Sequence, residues 1–272
     1  MKFSVLGSGS KGNCSLVQSG STCVLIDNGF SGKELLARLH AIGVAAETLT
    51  ALVITHEHAD HIKGVGVLAR RLRLPIYANG ATYRAGEQHL GNLPLRREFG
   101  TGESFVIDDL HLHPFALSHD SADPVGFVVG DGERRLGYCT DAGTITRLMH
   151  HHLRLCQALI LETNHDVELL RQGPYPLPLQ QRVLSNRGHL ANSDALAFAR
   201  FLLHGELQSL VLAHLSEVNN TPQLVQAEVE RHLGQARALH VVLAEQGRPL
   251  PLMEVCLAKE ALCCSSAPAV LP

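Results

Sequence analysis

Apolar residues recur at alternate positions over short stretches in the first half of the chain, the pattern of strands with one buried face. The predicted strands span 2–6, 15–18, 23–26, 51–54, 76–78, 110–117, 125–129 and 135–139. Two helices interrupt them. Ser31 and Glu34 have the spacing of a capping box for the first helix, which Gly43 should end. We expect the second to begin at the 56–61 loop and to continue until Pro75 stops it.

In the second half of the chain, apolar residues more often recur three and four positions apart, the spacing of a helix. It predicts helices over 145–155, 179–184, 193–203 and 222–232, separated by strands over 158–161 and 209–213. This alternation is typical of an α/β protein. Neither an internal repeat nor a change in composition marks a boundary, so we predict one domain over 1–258 and a disordered tail over 259–272.

The positions just after the predicted strand 51–54 carry an unusual density of metal-binding side chains. His56, His58, Asp60 and His61 lie within six residues, a pattern expected by chance in about 0.2% of chains with 17 histidines. In an extended stretch His56, His58 and Asp60 would share one side, and a turn at 60–61 would place a second ion beside the first. The spacing therefore predicts two adjacent metal sites.

A centre with two ions needs about seven protein ligands, so residues distant in sequence must complete it. Three candidates follow predicted strands directly: His119, Asp141 and His214. The combined set holds imidazoles and carboxylates and no thiolate, which suits Zn²⁺ or Mn²⁺. Cys139 lies two residues before Asp141, and we interpret it as a buried strand thiol rather than a ligand.

The amino-acid composition indicates which cellular compartment and which binding partners to expect. The seven cysteines of this 272-residue chain are an odd number without a Cys-x-x-Cys pair, which argues against a disulfide framework and favours the cytoplasm. Neither a secretory signal nor a membrane span is predicted. The net charge of −3 gives no overall attraction for nucleic acid. A local basic rim could still form from the pairs Arg70–Arg71, Arg96–Arg97 and Arg134–Arg135 with Lys11, Arg182 and Arg187, and the alternative is a solvated surface of mixed charge.

Several segments, taken in order, resemble the metallo-β-lactamase superfamily and, within it, the YycJ/WalJ-type proteins, which are similar to bacterial exonucleases. The resemblance covers nearly all of residues 1 to 258. It rests on the segments 7–13, 55–61, 118–127, 140–141, 162–166, 173–176, 188–192, 214–217 and 219–222. Ala191 stands where the family more often has Ser.

This resemblance implies a four-layer αββα sandwich, two mixed β-sheets flanked by helices, with the metals at one edge. It also implies a distribution of ligands between two divalent ions. By the same resemblance, the first ion would be held by His56, His58 and His119, the second by Asp60, His61 and His214, and Asp141 would bridge them.

The hypothesis for the reaction is phosphodiester hydrolysis, since two adjacent cations can activate water and neutralise phosphate oxygens. Asp60 would orient the attacking water, and His189 would be the general acid. His189 precedes a predicted helix capped by Asn192 or Ser193, and a solvated histidine near a helix cap remains the alternative. Glu162 and His165 could orient ligand imidazoles, or they could lie on the surface.

An exonuclease acting on DNA is the first expectation for function, with nucleic acid as the partner. The alternatives are an RNA-processing nuclease of the transfer-RNA 3′ type, a thioesterase or lactamase of small molecules, and a metal-bearing regulatory protein without catalysis.

Overall fold

The computed structural model describes residues 1–203, 205–236 and 238–257. Two seven-stranded sheets form its centre. The first contains β1 (Lys2–Gly7), β2 (Cys14–Ser19), β3 (Thr22–Ile26), β4 (Ala51–Val53), β5 (Pro75–Ala78), β6 (Leu95–Glu98) and β14 (Met253–Glu254), in the order β14-β1-β2-β3-β4-β5-β6. The second contains β7 (Phe105–Ile107), β8 (Leu110–Ala116), β9 (Val125–Gly130), β10 (Arg135–Cys139), β11 (Ala158–Glu162), β12 (Ser209–Ala213) and β13 (His240–Leu243), in the order β13-β12-β11-β10-β9-β8-β7.

Both sheets are mixed, and they share one pattern of strand directions. From β14 to β3, and likewise from β7 to β10, neighbouring strands are antiparallel. From β3 to β6 and from β10 to β13 they are parallel. Each half of the sandwich therefore places the carboxyl ends of several parallel strands at one edge, where binding sites form in open α/β sheets.

Helices cover both outer faces. The helices are α1 (Gly32–Ala41), α2 (Ala59–Ile62), α3 (Val65–Leu72), α4 (Gly80–Ala85), α5 (Glu87–Leu90), α6 (Arg147–Leu153), α7 (Val167–Gln172), α8 (Leu177–Val183), α9 (Asn192–Leu202) and α10 (Pro222–Leu233), with a short 3₁₀ turn at Ala46–Thr48. Ser31 and Glu34 form the predicted capping box of α1. Within the described residues no helix has the length and apolar character needed to cross a membrane.

Alternate residues of each strand feed different layers of the core. In β3, Val24 and Ile26 face the layer between the sheets, whereas Cys23 and Leu25 pack under the helices of the first sheet. A third cluster packs α6, α9 and α10 on the outer face of the second sheet. The expected four-layer αββα sandwich is confirmed. The predicted tail, 259–272, lies outside the described residues.

Several predicted elements differ in detail. The second predicted helix is two helices, α2 and α3, because the chain at Gly64 turns against residues 28–30 and donates from its N–H to the Asn28 carbonyl at 2.9 Å. Asn192 is not the cap of α9 but its first residue, and its side chain exchanges hydrogen bonds with the Asn220 amide at 2.9 Å.

Candidate metal centre and active site

Side chains from both sheets converge at one edge of the sandwich. Asp27 follows β3 and the 55–58 loop lies two residues beyond the end of β4. The second sheet contributes residues at or after the ends of β8, β10, β11 and β12, namely His119, Asp141, Glu162 and His214. All seven metal ligands predicted from the sequence, together with His189, belong to this cluster of titratable side chains.

Three of these residues leave their strands through a left-handed backbone conformation. Asp27 and Asp141 have φ of 60°, and His214 has φ of 58°. Such a conformation is uncommon for residues other than glycine and is found disproportionately at functional sites. Here it turns each side chain sharply away from the strand direction, toward the cluster.

The 56–61 loop reaches the site differently from the sequence expectation. His56 and His58 alternate in an extended stretch as expected, but α2 begins at Ala59, so Asp60 and His61 lie in a four-residue helix. The helix has the same effect as the predicted turn, because it places Asp60 and His61 near His214, apart from the group formed by His56, His58 and His119.

The first group of donor atoms consists of His56, His58 and His119, whose candidate ligand atoms lie within 4.8 Å of one another. His119 Nε2 is 3.3 Å from His58 Nδ1. The other nitrogen of His119, Nδ1, lies 2.9 Å from the Gly188 carbonyl, to which it donates, so the lone pair of His119 is on Nε2. His56 Nδ1 contacts the Thr55 hydroxyl at 2.9 Å, which leaves His56 Nε2 facing the group.

The second group consists of Asp60, His61 and His214, and Asp141 lies between the two groups. Asp60 Oδ2 is 3.6 Å from both His61 Nε2 and His214 Nε2. Asp141 Oδ2 is 3.1 Å from His61 Nε2, and Asp141 Oδ1 is 3.7 Å from His119 Nε2. Asp141 thus reaches members of both groups, as expected of a bridging ligand.

Three buried atoms of this cluster that could bind a metal ion have no hydrogen-bond partner: His56 Nε2, His214 Nε2 and Asp141 Oδ2. Buried polar atoms are nearly always satisfied, and leaving one unsatisfied costs about 1–3 kcal/mol. Cations held by the two groups would satisfy all three atoms, since His56 belongs to the first group, His214 to the second, and Asp141 lies between them. The imidazole and carboxylate donors fit a divalent ion such as Zn²⁺ or Mn²⁺.

The crowding of charges shifts the pKa values of these groups in opposite directions. Burial disfavours a charge on His61 and His214, but the surrounding carboxylates outweigh it, so the pKa of His61 lies well above its usual value and that of His214 rises to about 10. Burial also opposes charge on Asp141, yet His214 and His61 hold its pKa well below the usual range. The pocket therefore favours carboxylate anions balanced by positive charge.

Glu162 connects the proposed general acid to a proposed ligand. Its Oε1 accepts hydrogen bonds from His189 Nδ1 at 2.8 Å and from His214 Nδ1 at 2.7 Å. Its Oε2 accepts from the backbone N–H groups of Ala142 and Leu190 at 3.1 and 2.9 Å. Although burial opposes the charge, His189 and His214 lower the pKa of Glu162 to about 2. Of the two interpretations of Glu162, the structure favours the orienting carboxylate over the surface residue.

His165 and Cys139 take no direct part in this arrangement. His165 is buried, neither ring nitrogen has a hydrogen-bond partner, and burial lowers its pKa to about 4. It is therefore not a surface residue, and no hydrogen bond links it to a candidate ligand among the described residues. Cys139 is fully buried and belongs to the core under α6 and α9, in agreement with its interpretation as a strand thiol.

Two residues at the site were missed by the sequence analysis. Asp27 is fully buried, and its Oδ2 lies 2.8 Å from His61 Nδ1. The Thr55 backbone N–H and hydroxyl donate to the two oxygens of Asp27 at 2.8 and 2.7 Å. Asn13 donates from Nδ2 to Asp60 Oδ2 at 3.2 Å. The position of Asp27 directly after a strand, shared with the other donors, was the available signal.

Three members of the candidate basic rim, Lys11, Arg182 and Arg187, lie beside the site, and each of the three has a partner. Lys11 Nζ is 2.6 Å from Glu217 Oε2, and Arg182 Nε is 2.5 Å from Asp120 Oδ2. Arg187 donates twice to the His119 carbonyl, at 3.1 and 3.2 Å. A cavity of about 140 Å³ lies next to the site, and its lining includes His189, Asp120 and Arg182.

Comparison with known proteins agrees with this architecture. A family model described as "Beta-lactamase superfamily domain" matches residues 22–215. The exodeoxyribonuclease YycJ of Bacillus anthracis is 37% identical over 235 residues, which cover 86% of this chain and 89% of that protein. The exodeoxyribonuclease WalJ of Streptococcus pneumoniae is 36% identical over 239 residues, with the same coverage of 86% and 89%.

A solved structure shares the fold at lower identity. The metallo-β-lactamase fold protein YhfI of Bacillus subtilis superimposes with a TM-score of 0.68 at 19% identity, over 92% of this chain and 98% of that one. The family match covers most of the chain, and both exodeoxyribonucleases exceed one-third identity over most of their length. The chain therefore belongs to the metallo-β-lactamase superfamily, in the branch that contains YycJ and WalJ.

Proposed function

We propose that this protein is a metal-dependent phosphodiesterase, an exonuclease on DNA that uses two divalent ions. The observation that carries this proposal is the convergence of three buried, unpartnered donor atoms from positions 56, 141 and 214, which distant strands bring to one edge. Such a cluster is costly without a cation and is the expected form of a hydrolytic metal site.

The two ions would be divided between the two groups of donors. His56, His58 and His119 would hold the first ion, Asp60, His61 and His214 the second, and Asp141 both. Bound divalent ions supply an acidified water molecule and positive charge for phosphodiester oxygens. The 2.9 Å contact with the Gly188 carbonyl and the 2.8 Å contact with Asp27 fix the orientations of His119 and His61 for this role.

Asp60 would orient the attacking water, and His189, held by Glu162, would donate a proton to the leaving group. Asp60 is held by the Asn13 amide through Oδ2, and its carboxylate can orient a water molecule for in-line attack on phosphorus. Burial lowers the pKa of His189, but the nearby carboxylates, Glu162 the nearest of them, raise it above the usual value, which favours the protonated ring that a general acid needs. Glu162 binds Nδ1, which leaves Nε2 of His189 to donate to the leaving oxygen.

The substrate class follows from the chemistry of the rim and from the relatives. Arg182 lines the same cavity as His189, and Lys11 and Arg187 are the sequence neighbours of two other lining residues, Ser10 and Gly188. This positive charge suits a chain of phosphates. The two relatives that match most of the chain, described above, are named exodeoxyribonucleases, which favours DNA ends as the substrate here. The buried cysteines Cys14, Cys23, Cys139 and Cys156 are free thiols, which favours action in the cytoplasm.

The test is a nuclease assay on end-labelled substrates. Protein stripped of metal and then supplied with Mn²⁺ or Zn²⁺ should shorten single-stranded or duplex DNA from an end, with released nucleotides as products. Structured RNA, nitrocefin and a glutathione thioester distinguish the RNA-processing, lactamase and thioesterase alternatives. Tight binding of two ions without cleavage of any of these substrates would favour a regulatory protein and contradict the proposal.

A further inference from the structure

Asp120 has a carboxylate oxygen whose surroundings the proposed ligand set does not explain. The residue follows His119 in the loop after β8, and Arg182 of α8 holds its Oδ2 at 2.5 Å. The other oxygen, Oδ1, is shielded from solvent and has no hydrogen-bond partner. Arg182 thus fixes the carboxylate with one oxygen directed away from it and unsatisfied.

That free oxygen lies against the first group of donors. Asp120 Oδ1 is 3.4 Å from His119 Nε2. It is also 3.9 Å from His58 Nε2, the ring nitrogen that is not the one contacting His119, and this distance is too long for a hydrogen bond. His119 donates through Nδ1 to the Gly188 carbonyl, so its Nε2 presents a lone pair toward the Asp120 anion. Two electron-rich atoms in a buried position repel each other unless a positive charge lies between them.

The spacing agrees with a shared ion. Ligand atoms about 2.1 Å from one metal, at angles of about 90–120°, lie roughly 3.0–3.6 Å apart. His119 Nε2 is separated from His58 Nδ1 by 3.3 Å and from Asp120 Oδ1 by 3.4 Å. The spacing between Asp120 and His119 therefore matches that between two residues already assigned to the first ion.

We propose that Asp120 Oδ1 is an additional ligand of the first ion and that it makes this position favour Mn²⁺ over Zn²⁺. The inference rests on the proposed metal centre. Three imidazoles and a bridging carboxylate already complete the four ligands that Zn²⁺ prefers. A second carboxylate raises both the coordination number and the share of oxygen donors, and both changes suit Mn²⁺ better.

A simpler role for Asp120 would be to anchor α8 through Arg182. The two roles predict different results when the ion pair is broken from its two sides. As an anchor, Asp120→Asn and Arg182→Gln should be equivalent. As a ligand, Asp120→Asn should weaken binding of the first ion strongly, whereas Arg182→Gln should have a smaller effect, because it removes the residue that orients the carboxylate and leaves the donor in place.

The experiment measures metal affinity rather than turnover. Metal-free wild type, Asp120→Asn, Asp120→Ala and Arg182→Gln are titrated with Mn²⁺, with the free ion measured by electron paramagnetic resonance, and with Zn²⁺ in competition with a chromophoric chelator. Asp123→Asn is the matched control, since Asp123 lies in the same loop and its carboxylate instead accepts a hydrogen bond from the Thr101 hydroxyl.

Both Asp120 variants should bind Mn²⁺ about 100-fold more weakly at one site and Zn²⁺ less than about 10-fold more weakly, with Asp123→Asn unchanged. Circular dichroism confirms that each variant is folded. If both Asp120 variants keep wild-type affinities, or if Arg182→Gln reproduces their loss, the inference is wrong. If wild type itself binds neither ion, the proposed function fails instead, so the two failures are distinct.

Discussion

At the scale of single residues, the site depends on what holds each imidazole as much as on the imidazoles themselves. Most of the donors were predictable from sequence, because His and Asp were crowded into six positions or followed strands directly. The residues that orient these imidazoles by hydrogen bonding were not predictable. Asp27 is 34 positions from His61, and Glu162 is 52 positions from His214. No local spacing encodes such pairs, since only the fold brings them together.

The paired role of Glu162 leads to a prediction for His189. Replacing His189 by Ala removes the proposed proton donor, and we expect kcat to fall about 100-fold or more, the usual contribution of general acid catalysis. Bound metal should stay at the wild-type level, because His189 is not a proposed ligand. Steady-state kinetics and elemental analysis of the purified variant provide the two measurements.

An exposed histidine on α6 provides the control for this variant. His151→Ala also removes one imidazole and should change neither quantity. Turnover by His189→Ala equal to that of wild type would exclude His189 from the mechanism. Loss of metal in the same variant would instead assign His189 a role in holding the ions.

At the scale of elements, most strands and the longer helices agree with their predicted positions. The break between α2 and α3 could not be predicted, because the apolar spacing continues through it and its cause lies in a distant segment. The edge strand β6 (Leu95–Glu98) was missed for another reason. All four of its residues are exposed, so it has no alternation of apolar and polar positions.

The helix break makes Gly64 a sensitive position. A Cβ atom there would lie 1.8 Å from the Phe30 carbonyl oxygen and 2.5 Å from Asn28 Nδ2. We expect Gly64→Ala to lower the free energy of unfolding by about 3 kcal/mol, since backbone must move to relieve the overlap.

Urea denaturation provides the measurement for Gly64→Ala. Gly247→Ala, where nothing lies within 4 Å, serves as the control and should change stability by no more than about 0.5 kcal/mol. Equal stability of the two variants would show that the junction between α2 and α3 yields without cost, contrary to this prediction.

At the scale of the whole molecule, the two sheets repeat one order of strand directions. The sequence shows no matching repeat, because a pairing pattern can be conserved in space by residues that share only apolar character. The alternation of elements predicted an α/β protein, and the family resemblance implied the four-layer sandwich. The consequence of the repeat is that each half contributes strand ends to the same edge.

The charges collected at this edge predict an unusual dependence of stability on pH. In metal-free protein the pKa of His214 is raised to about 10, against about 6.5 for an unfolded histidine. Its stabilising charge is fully present below pH 6.5 and is lost as the pH rises through 10. The Tm of metal-free protein should therefore fall between pH 7 and pH 10.

With Mn²⁺ or Zn²⁺ present the trend should reverse over the same range. Metal ligands must be deprotonated, so a higher pH strengthens binding of the ions and with it the folded state. Differential scanning calorimetry with EDTA and with metal measures both trends. A Tm of the metal-free protein that is constant or rises from pH 7 to pH 10 would contradict the predicted charge on His214.

The candidate metal ligands are divided between the two halves of the sandwich, so neither half holds all the ligands of either proposed ion. Residues preceding His119 include His56, His58, Asp60 and His61, whereas the remaining donors come from the segment that follows. Neither segment expressed by itself would possess a full complement for even one ion. On the proposed assignment, only a chain whose two segments have docked would bind an ion, and the bound ion would in turn stabilise that docking.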